Sequence, residues 1–109
     1  MQISIVIPLL NEEESLAELY QWLTKVLTLN RFSYEIIFVD DGSTDGSWRV
    51  IMQLAEKDAQ VRGIRFLRNY GKSQALHAGF KAAEGEVVIT MDADLQDPPE
   101  LLPQMFELI

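Results

Sequence analysis

The chain has 109 residues, enough for one small domain or part of one. Apolar residues make up 48% and charged residues 24%, a globular balance that excludes wholesale disorder and collagen-like repeats. The absence of cysteine removes disulfides and thiolate metal sites, and a net charge of −8 argues against nucleic-acid binding, because phosphate backbones need a basic surface.

Residues 3–7 are β-branched and apolar, and Pro8 is expected to close this first strand. Asn11 then stands at an N-cap position with Glu14 as its capping-box partner. Leu16, Leu19, Leu23, Val26 and Leu27 recur at helical spacing, which predicts an amphipathic helix over roughly 12–29. Glu12, Glu13 and Glu14 fall in its first turn, where the helix dipole favours acids.

A second strand is predicted over 34–39, with an apolar run suited to burial on both faces. The segment 40–46, Asp-Asp-Gly-Ser-Thr-Asp-Gly, is dense in turn formers. A helix over about 47–58 follows, then a weaker strand over 61–67 that contains Gly63. Residues 71–83 predict a third helix whose small face, Ala75, Ala78, Gly79, Ala82 and Ala83, can approach a sheet closely. Gly85 is expected at its C′ position. A fourth strand is predicted over 86–91, and Asp97-Pro98-Pro99-Glu100 reads as the start of another helix. The alternation of strand and helix predicts an α/β fold: a Rossmann-like, mostly parallel sheet with helices on both faces.

No charged region precedes an apolar stretch at the N-terminus, so no targeting segment is expected. The apolar run 3–10 is far shorter than the roughly 20 residues a membrane helix needs. Residues 100–109 begin a helix without a C-cap signal, which suggests a fragment truncated at its C-terminus. A sheet cut short in this way can expose an edge, a route to homo-oligomers.

Charge is unevenly spread. Residues 61–81 carry Arg62, Arg65, Arg68, Lys72 and Lys81 with no acid, between acidic segments on either side. This island either meets an anionic ligand or neutralises the acids packed near it.

In sheets of this kind, ligands bind beyond the carboxyl ends of the strands, so the residues after each strand carry the functional reading. All four exits are polar and, with right-handed crossovers, share one edge. Asp92-x-Asp94 is either a site for a hard cation such as Mg2+ or Mn2+, or a pair that caps the following helix; Gln96 could add an oxygen ligand. Asp40-Asp41 either accepts hydrogen bonds from a base or ribose, or belongs to a turn. Glu12 is a dipole partner or a ligand contact. Arg68 and Lys72 flank Gly71 at a helix start, where an anion could bind or the charges could be structural. His77 reads as a packing or surface residue, and Trp22 and Trp48 as packing residues rather than base-stacking ones. Neither G-x-G-x-x-G after the first strand nor a P-loop is present, and no Ser-His-Asp triad is indicated.

Taken together, Ile7-Pro8-Leu9-Leu10-Asn11-Glu12, Val39-Asp40-Asp41-Gly42-Ser43-Thr44-Asp45-Gly46, Arg68-Asn69-Tyr70-Gly71-Lys72 and Met91-Asp92-Ala93-Asp94-Leu95-Gln96-Asp97-Pro98-Pro99-Glu100 resemble the family 2 glycosyltransferases. The resemblance is strongest to the dolichol/polyprenyl-phosphate sugar transferases and covers essentially the whole chain. It implies that residues 1–109 are the N-terminal, nucleotide-sugar-binding portion of a GT-A fold. Pro8, Leu10 and Glu12 would then line the nucleotide pocket, and Val39 and Asp41 would contact base and ribose, with Asp40 beside them. Asp92 and Ala93 would meet the ribose and diphosphate. Asp94 and Gln96 would hold Mg2+ or Mn2+, with Asp92 as a further ligand.

The same resemblance implies an inverting, metal-dependent transfer from a UDP- or GDP-linked sugar to a polyprenyl-phosphate carrier. It places the enzyme in the cytoplasm, at the cytoplasmic face of the membrane, through segments outside this chain. Two alternatives stand beside it: a family 2 enzyme acting on a polysaccharide or other hydroxyl, and a non-catalytic nucleotide-binding module. No catalytic acceptor-side residue is assigned by these motifs.

Overall fold

The computed structural model describes residues 1–93. Its elements run β1 (Ile3–Leu9), α1 (Leu16–Leu29), β2 (Tyr34–Asp40), α2 (Ser47–Lys57), β3 (Val61–Arg65), α3 (Lys72–Ala82) and β4 (Val87–Thr90). The strands form one parallel sheet in the order β3-β2-β1-β4. The predicted Asp97-Pro98-Pro99-Glu100 helix start lies outside the described residues.

Strand alternation divides the core into two layers. Ile3, Ile5, Ile7 and Leu9 of β1, with Ile36 and Phe38 of β2, face α1 and α2, where Leu16, Leu19, Leu23, Leu27 and Ile51 are fully buried. Val6, Ile37 and Val39 face the opposite way, against Ala75 and the small-residue side of α3. Helices therefore cover both faces, which is why β1 and β2 are apolar at nearly every position. Each fully buried Leu, Ile or Phe stabilises the fold by roughly 1.5–3 kcal/mol relative to its exposed state.

The chain leaves the sheet centre through β2 to β3, and α3 then returns it across the other face to β4. Strand order thus reverses between β1 and β4. At such a point the loops splay apart and leave a crevice at the carboxyl ends of the strands.

Several boundaries differ from expectation. Pro8 does not close β1, which continues through Leu9 in register with Asp40. The Val6 carbonyl receives the Met91 N–H at 3.1 Å. Pro8, two residues on, turns its missing donor to the same side, past the last β1–β4 pair at Thr90, so no ladder bond is lost there. The first helix begins at Leu16 rather than near residue 12, with Ser15 at the N-cap. Asn11 is not its cap. It sits in the left-handed region at φ 55°, and its side-chain oxygen accepts the N–H groups of Thr44 at 2.8 Å and Asp45 at 3.2 Å. Bonds to a distant loop have displaced the local capping box, and Glu12, Glu13 and Glu14 precede the helix instead of filling its first turn.

Gly85 is likewise not a left-handed helix cap. The α3 C-cap is Ala83, and a Cβ on Gly85 would lie 2.7 Å from the Ser4 nitrogen, so glycine is required by close approach to β1. The third and fourth strands are shorter than predicted, ending at Arg65 and Thr90.

Candidate functional site

A cavity of about 460 Å³ opens at the carboxyl edge of the sheet, across the β1/β4 reversal. All four strand exits contribute to it. Pro8, Leu9, Leu10 and Glu12 come from β1 and its following loop, and Asp41 comes from the end of β2. The β3–α3 connection supplies Asn69, Gly71 and Lys72, and Asp92 and Ala93 follow β4.

The loops around this cavity are bonded to one another more than to their own helices. Ser43 Oγ accepts the Asn11 N–H at 2.8 Å, and Ser47 Oγ accepts the Glu12 N–H at 3.0 Å. Asp45 anchors the junction: one carboxylate oxygen accepts the Ser47 N–H at 2.9 Å and its hydroxyl at 2.6 Å, and the other accepts the Glu13 N–H at 3.3 Å. Burial pushes the Asp45 carboxyl up, but the Ser47 hydroxyl and these N–H groups outweigh it and hold the carboxyl below the ordinary range.

Asp40 is the last residue of β2 and Asp41 the first beyond it, and their side chains play different parts. Asp41 lines the cavity. Its Oδ1 accepts the Tyr70 N–H at 2.8 Å and its Oδ2 accepts the Gly71 N–H at 3.0 Å, which ties the β3–α3 loop to the end of β2. Asp40 is 1% exposed and does not line the cavity. Its Oδ1 accepts the Ser43 N–H at 2.8 Å, and its Oδ2 is buried without a partner among the described residues. Gly42 between the loops has φ 82°, and a Cβ there would collide with the backbone of Arg68 and Asn69.

Pro8, Leu10, Glu12, Asp41, Asp92 and Ala93 are therefore brought together in one cavity. Val39 is not among them: its side chain is fully buried against α3. Asp94 and Gln96 lie outside the described residues. Among those described, no cluster of three or more metal-capable side chains occurs, and Asp92 is the carboxylate of the proposed cation set within view.

Of the basic island, Lys72 alone reaches the cavity. Its Nζ lies 3.0 Å from Asp92 Oδ1, with both side chains substantially exposed. Such a pair contributes little stability, on the order of 0–1 kcal/mol. Arg68 folds back over the Tyr70 ring, its Nε donating to the Tyr70 hydroxyl at 3.0 Å. Arg62 pairs with the buried Glu35 at 2.6 Å, and Arg65 lies over the Trp48 ring. Most of the island is thus used internally. His77 is exposed on α3, and Trp48 packs against the core.

Sequence reasoning missed Leu9 and Asn69 as lining residues, and Ser15 and Ser47 as the groups that hold the walls. Clustered Ser and Asp after a strand are a signal for such loops. Their partners, more than 30 residues away, have no sequence signature.

Residues 4–109 match the sequence profile described as "Glycosyl transferase family 2". An undecaprenyl-phosphate 4-deoxy-4-formamido-L-arabinose transferase of Pseudomonas fluorescens is 47% identical over 106 residues, covering 96% of this chain and 31% of its own length. The S. aureus TarS 1-349 structure in complex with UDP-GlcNAc superposes with a TM-score of 0.71 at 28% identity, over 86% of this chain and 27% of that one. The mannosyltransferase PcManGT of Pyrobaculum calidifontis, in complex with GDP-Man and Mn2+, shares the fold at 24% identity, with a TM-score of 0.74 over 89% of this chain and 33% of that one. The present chain spans about a third of the length of the curated relatives it matches. Its parallel sheet with helices on both faces is the α/β architecture of the GT-A glycosyltransferases. The chain belongs to glycosyl transferase family 2.

Proposed function

We propose that residues 1–109 are the donor-binding portion of an inverting glycosyltransferase that moves a sugar from a UDP- or GDP-linked donor to a polyprenyl phosphate. The observation that carries this reading is the convergence of Glu12, Asp41, Asp92, Ala93 and Lys72 on one cavity at the β1/β4 reversal. The kinship to an undecaprenyl-phosphate transferase supports the lipid-phosphate acceptor.

The wall chemistry fits a divalent cation. Among the described residues, three carboxylates line the cavity against one lysine, so a bare diphosphate would be repelled there. Asp92 offers hard oxygen donors at the rim, and Asp94 and Gln96 are the residues that would complete the set with it. When bound, the cation supplies Lewis-acid stabilisation of the departing nucleoside diphosphate.

The protein's own groups bind and orient. Pro8, Leu9 and Leu10 give the cavity an apolar side on which a base can rest. Asp41 holds the β3–α3 loop, and with it Gly71 and Lys72, at the cavity edge. Lys72 lines the same cavity and would meet the anionic oxygens of the donor there. The polyprenyl phosphate is already an anionic nucleophile and needs less help from a general base than a sugar hydroxyl would. No helix among the described residues is long and apolar enough to cross a membrane, and we assign work at the cytoplasmic face to segments outside this chain.

Calorimetric titration of the full-length protein with UDP, GDP and their sugars, with and without Mn2+, tests this reading. Binding that requires Mn2+ is the expected result. Absence of metal-dependent binding by any of these ligands would overturn it.

A further inference from the structure

We propose that Ser15 is a positioning residue for the donor site, an inference that rests on the function proposed above. Ser15 stands at the N-cap of α1, where a serine hydroxyl ordinarily accepts an N–H from the first turn. Here it makes no capping bond. Its backbone is helical, with φ −98° and ψ −17°, instead of the extended conformation that aims an N-cap oxygen at its own helix.

The hydroxyl donates instead to the Ala93 carbonyl, at 2.7 Å and 78 residues away in sequence. The Glu12 carboxylate is next nearest, with Oε2 at 3.1 Å, and the Glu12 carbonyl follows at 3.2 Å. Glu12 and Ala93 both line the cavity, from opposite sides of the β1/β4 reversal, whereas Ser15 does not. Ser15 therefore stands behind the wall and joins its two halves.

β1 and β4 pair only from Ile3–Val87 to Val6–Thr90, and the Met91 N–H adds one further bond to Val6. Past that bond, the Ser15–Ala93 contact ties the β4 exit to the β1–α1 loop among the described residues. Its consequence is to fix where Asp92 presents its carboxylate relative to Glu12. The hydroxyl of an N-cap residue is thus used to hold the β4 exit instead of its own helix.

The test uses the full-length protein and measures Mn2+-dependent binding of UDP and GDP, by calorimetry well below the melting temperature. Loss of an outer positioning group costs about tenfold in affinity, so S15A should weaken Mn2+-dependent nucleotide binding by about that factor. It should also raise the donor KM more than it lowers kcat. S15T, which keeps the hydroxyl, should restore both. V26A, a truncation in the far half of α1, serves as a control that lowers stability without touching the site. If S15A folds poorly, S15T and S15V form a shape-matched pair that differs in the hydroxyl. S15A or S15V binding as tightly as wild type would overturn the positioning role, as would V26A losing affinity to the same degree. Wild-type protein that binds neither nucleotide with Mn2+ would overturn the proposed function, and this inference with it.

Discussion

The carboxylate of Asp41 accepts two consecutive backbone N–H groups, those of Tyr70 and Gly71, one on each oxygen. A side chain at the end of β2 thereby sets the position of the loop that begins α3. Asp41→Asn keeps the shape but turns an amide donor toward one of those N–H groups. The expected cost is roughly 1–3 kcal/mol of stability, together with weakened nucleotide binding. Urea unfolding and calorimetry check this; a variant with wild-type stability would show that the loop is held by other contacts.

Asn11 tests how the first two loops are joined. It combines φ 55° with a side-chain oxygen that accepts from Thr44 and Asp45. Asn11→Ala loses the acceptor and keeps a strained backbone, for an expected loss of about 2 kcal/mol. Asn11→Asp keeps the acceptor and tolerates the conformation, so it should lie within about 1 kcal/mol of wild type in chemical denaturation. Equal destabilisation by both variants would contradict this assignment.

Gly42 is predicted to admit no side chain. Its φ is 82° and a Cβ would strike the backbone of Arg68 and Asn69, which cannot yield as a flexible side chain would. Gly42→Ala should cost more than about 2 kcal/mol or prevent folding, measured as the urea midpoint or as soluble yield.

Glu35 predicts the acid limb of stability. It is 3% exposed, accepts the Ser4 hydroxyl at 2.6 Å and the Glu84 N–H at 2.7 Å, and pairs with Arg62. Burial pushes its carboxyl up, but Ser4, the Glu84 N–H and Arg62 together hold it below the ordinary range. Because the folded value is the lower one, this carboxylate contributes stability above the unfolded glutamate pKa of about 4.3, and that contribution is lost as pH falls through the folded value. Glu35→Gln should therefore be less stable than wild type at pH 7 and show a flatter loss below about pH 4.3, read from melting temperature against pH. Parallel curves for the two proteins would refute the assignment.

The fold was legible because its signals are periodic. Ile36-Ile37-Phe38-Val39 reads as a strand buried on both sides, and Leu16, Leu19, Leu23 and Leu27 mark one face of a helix; the structure buries all of them. The meeting of the four strand exits at one cavity was legible, because right-handed parallel connections carry them to one edge. Finer roles were not. Whether Asp40 or Asp41 faces the cavity depends on which side of β2 meets α3, and that is fixed only by tertiary packing. Val39 looks like part of a motif, yet its side chain fills the layer beneath α3. Asn11 and Glu14 satisfy a local capping rule that loses to bonds with Thr44 and Asp45, more than 30 residues away. Gly85 resembles a helix stop, and its actual neighbour is Ser4 on another strand.

The activity proposed for this cavity is metal-dependent sugar transfer. Its most direct measurement is transfer of labelled sugar from a UDP- or GDP-linked donor to polyprenyl phosphate by the full-length protein. Wild type and Asp94→Ala would be compared in Mn2+ and in EDTA. The predicted result is product with wild type in Mn2+ alone, and none with Asp94→Ala. Turnover by Asp94→Ala near the wild-type rate, or wild-type turnover undiminished in EDTA, would contradict it.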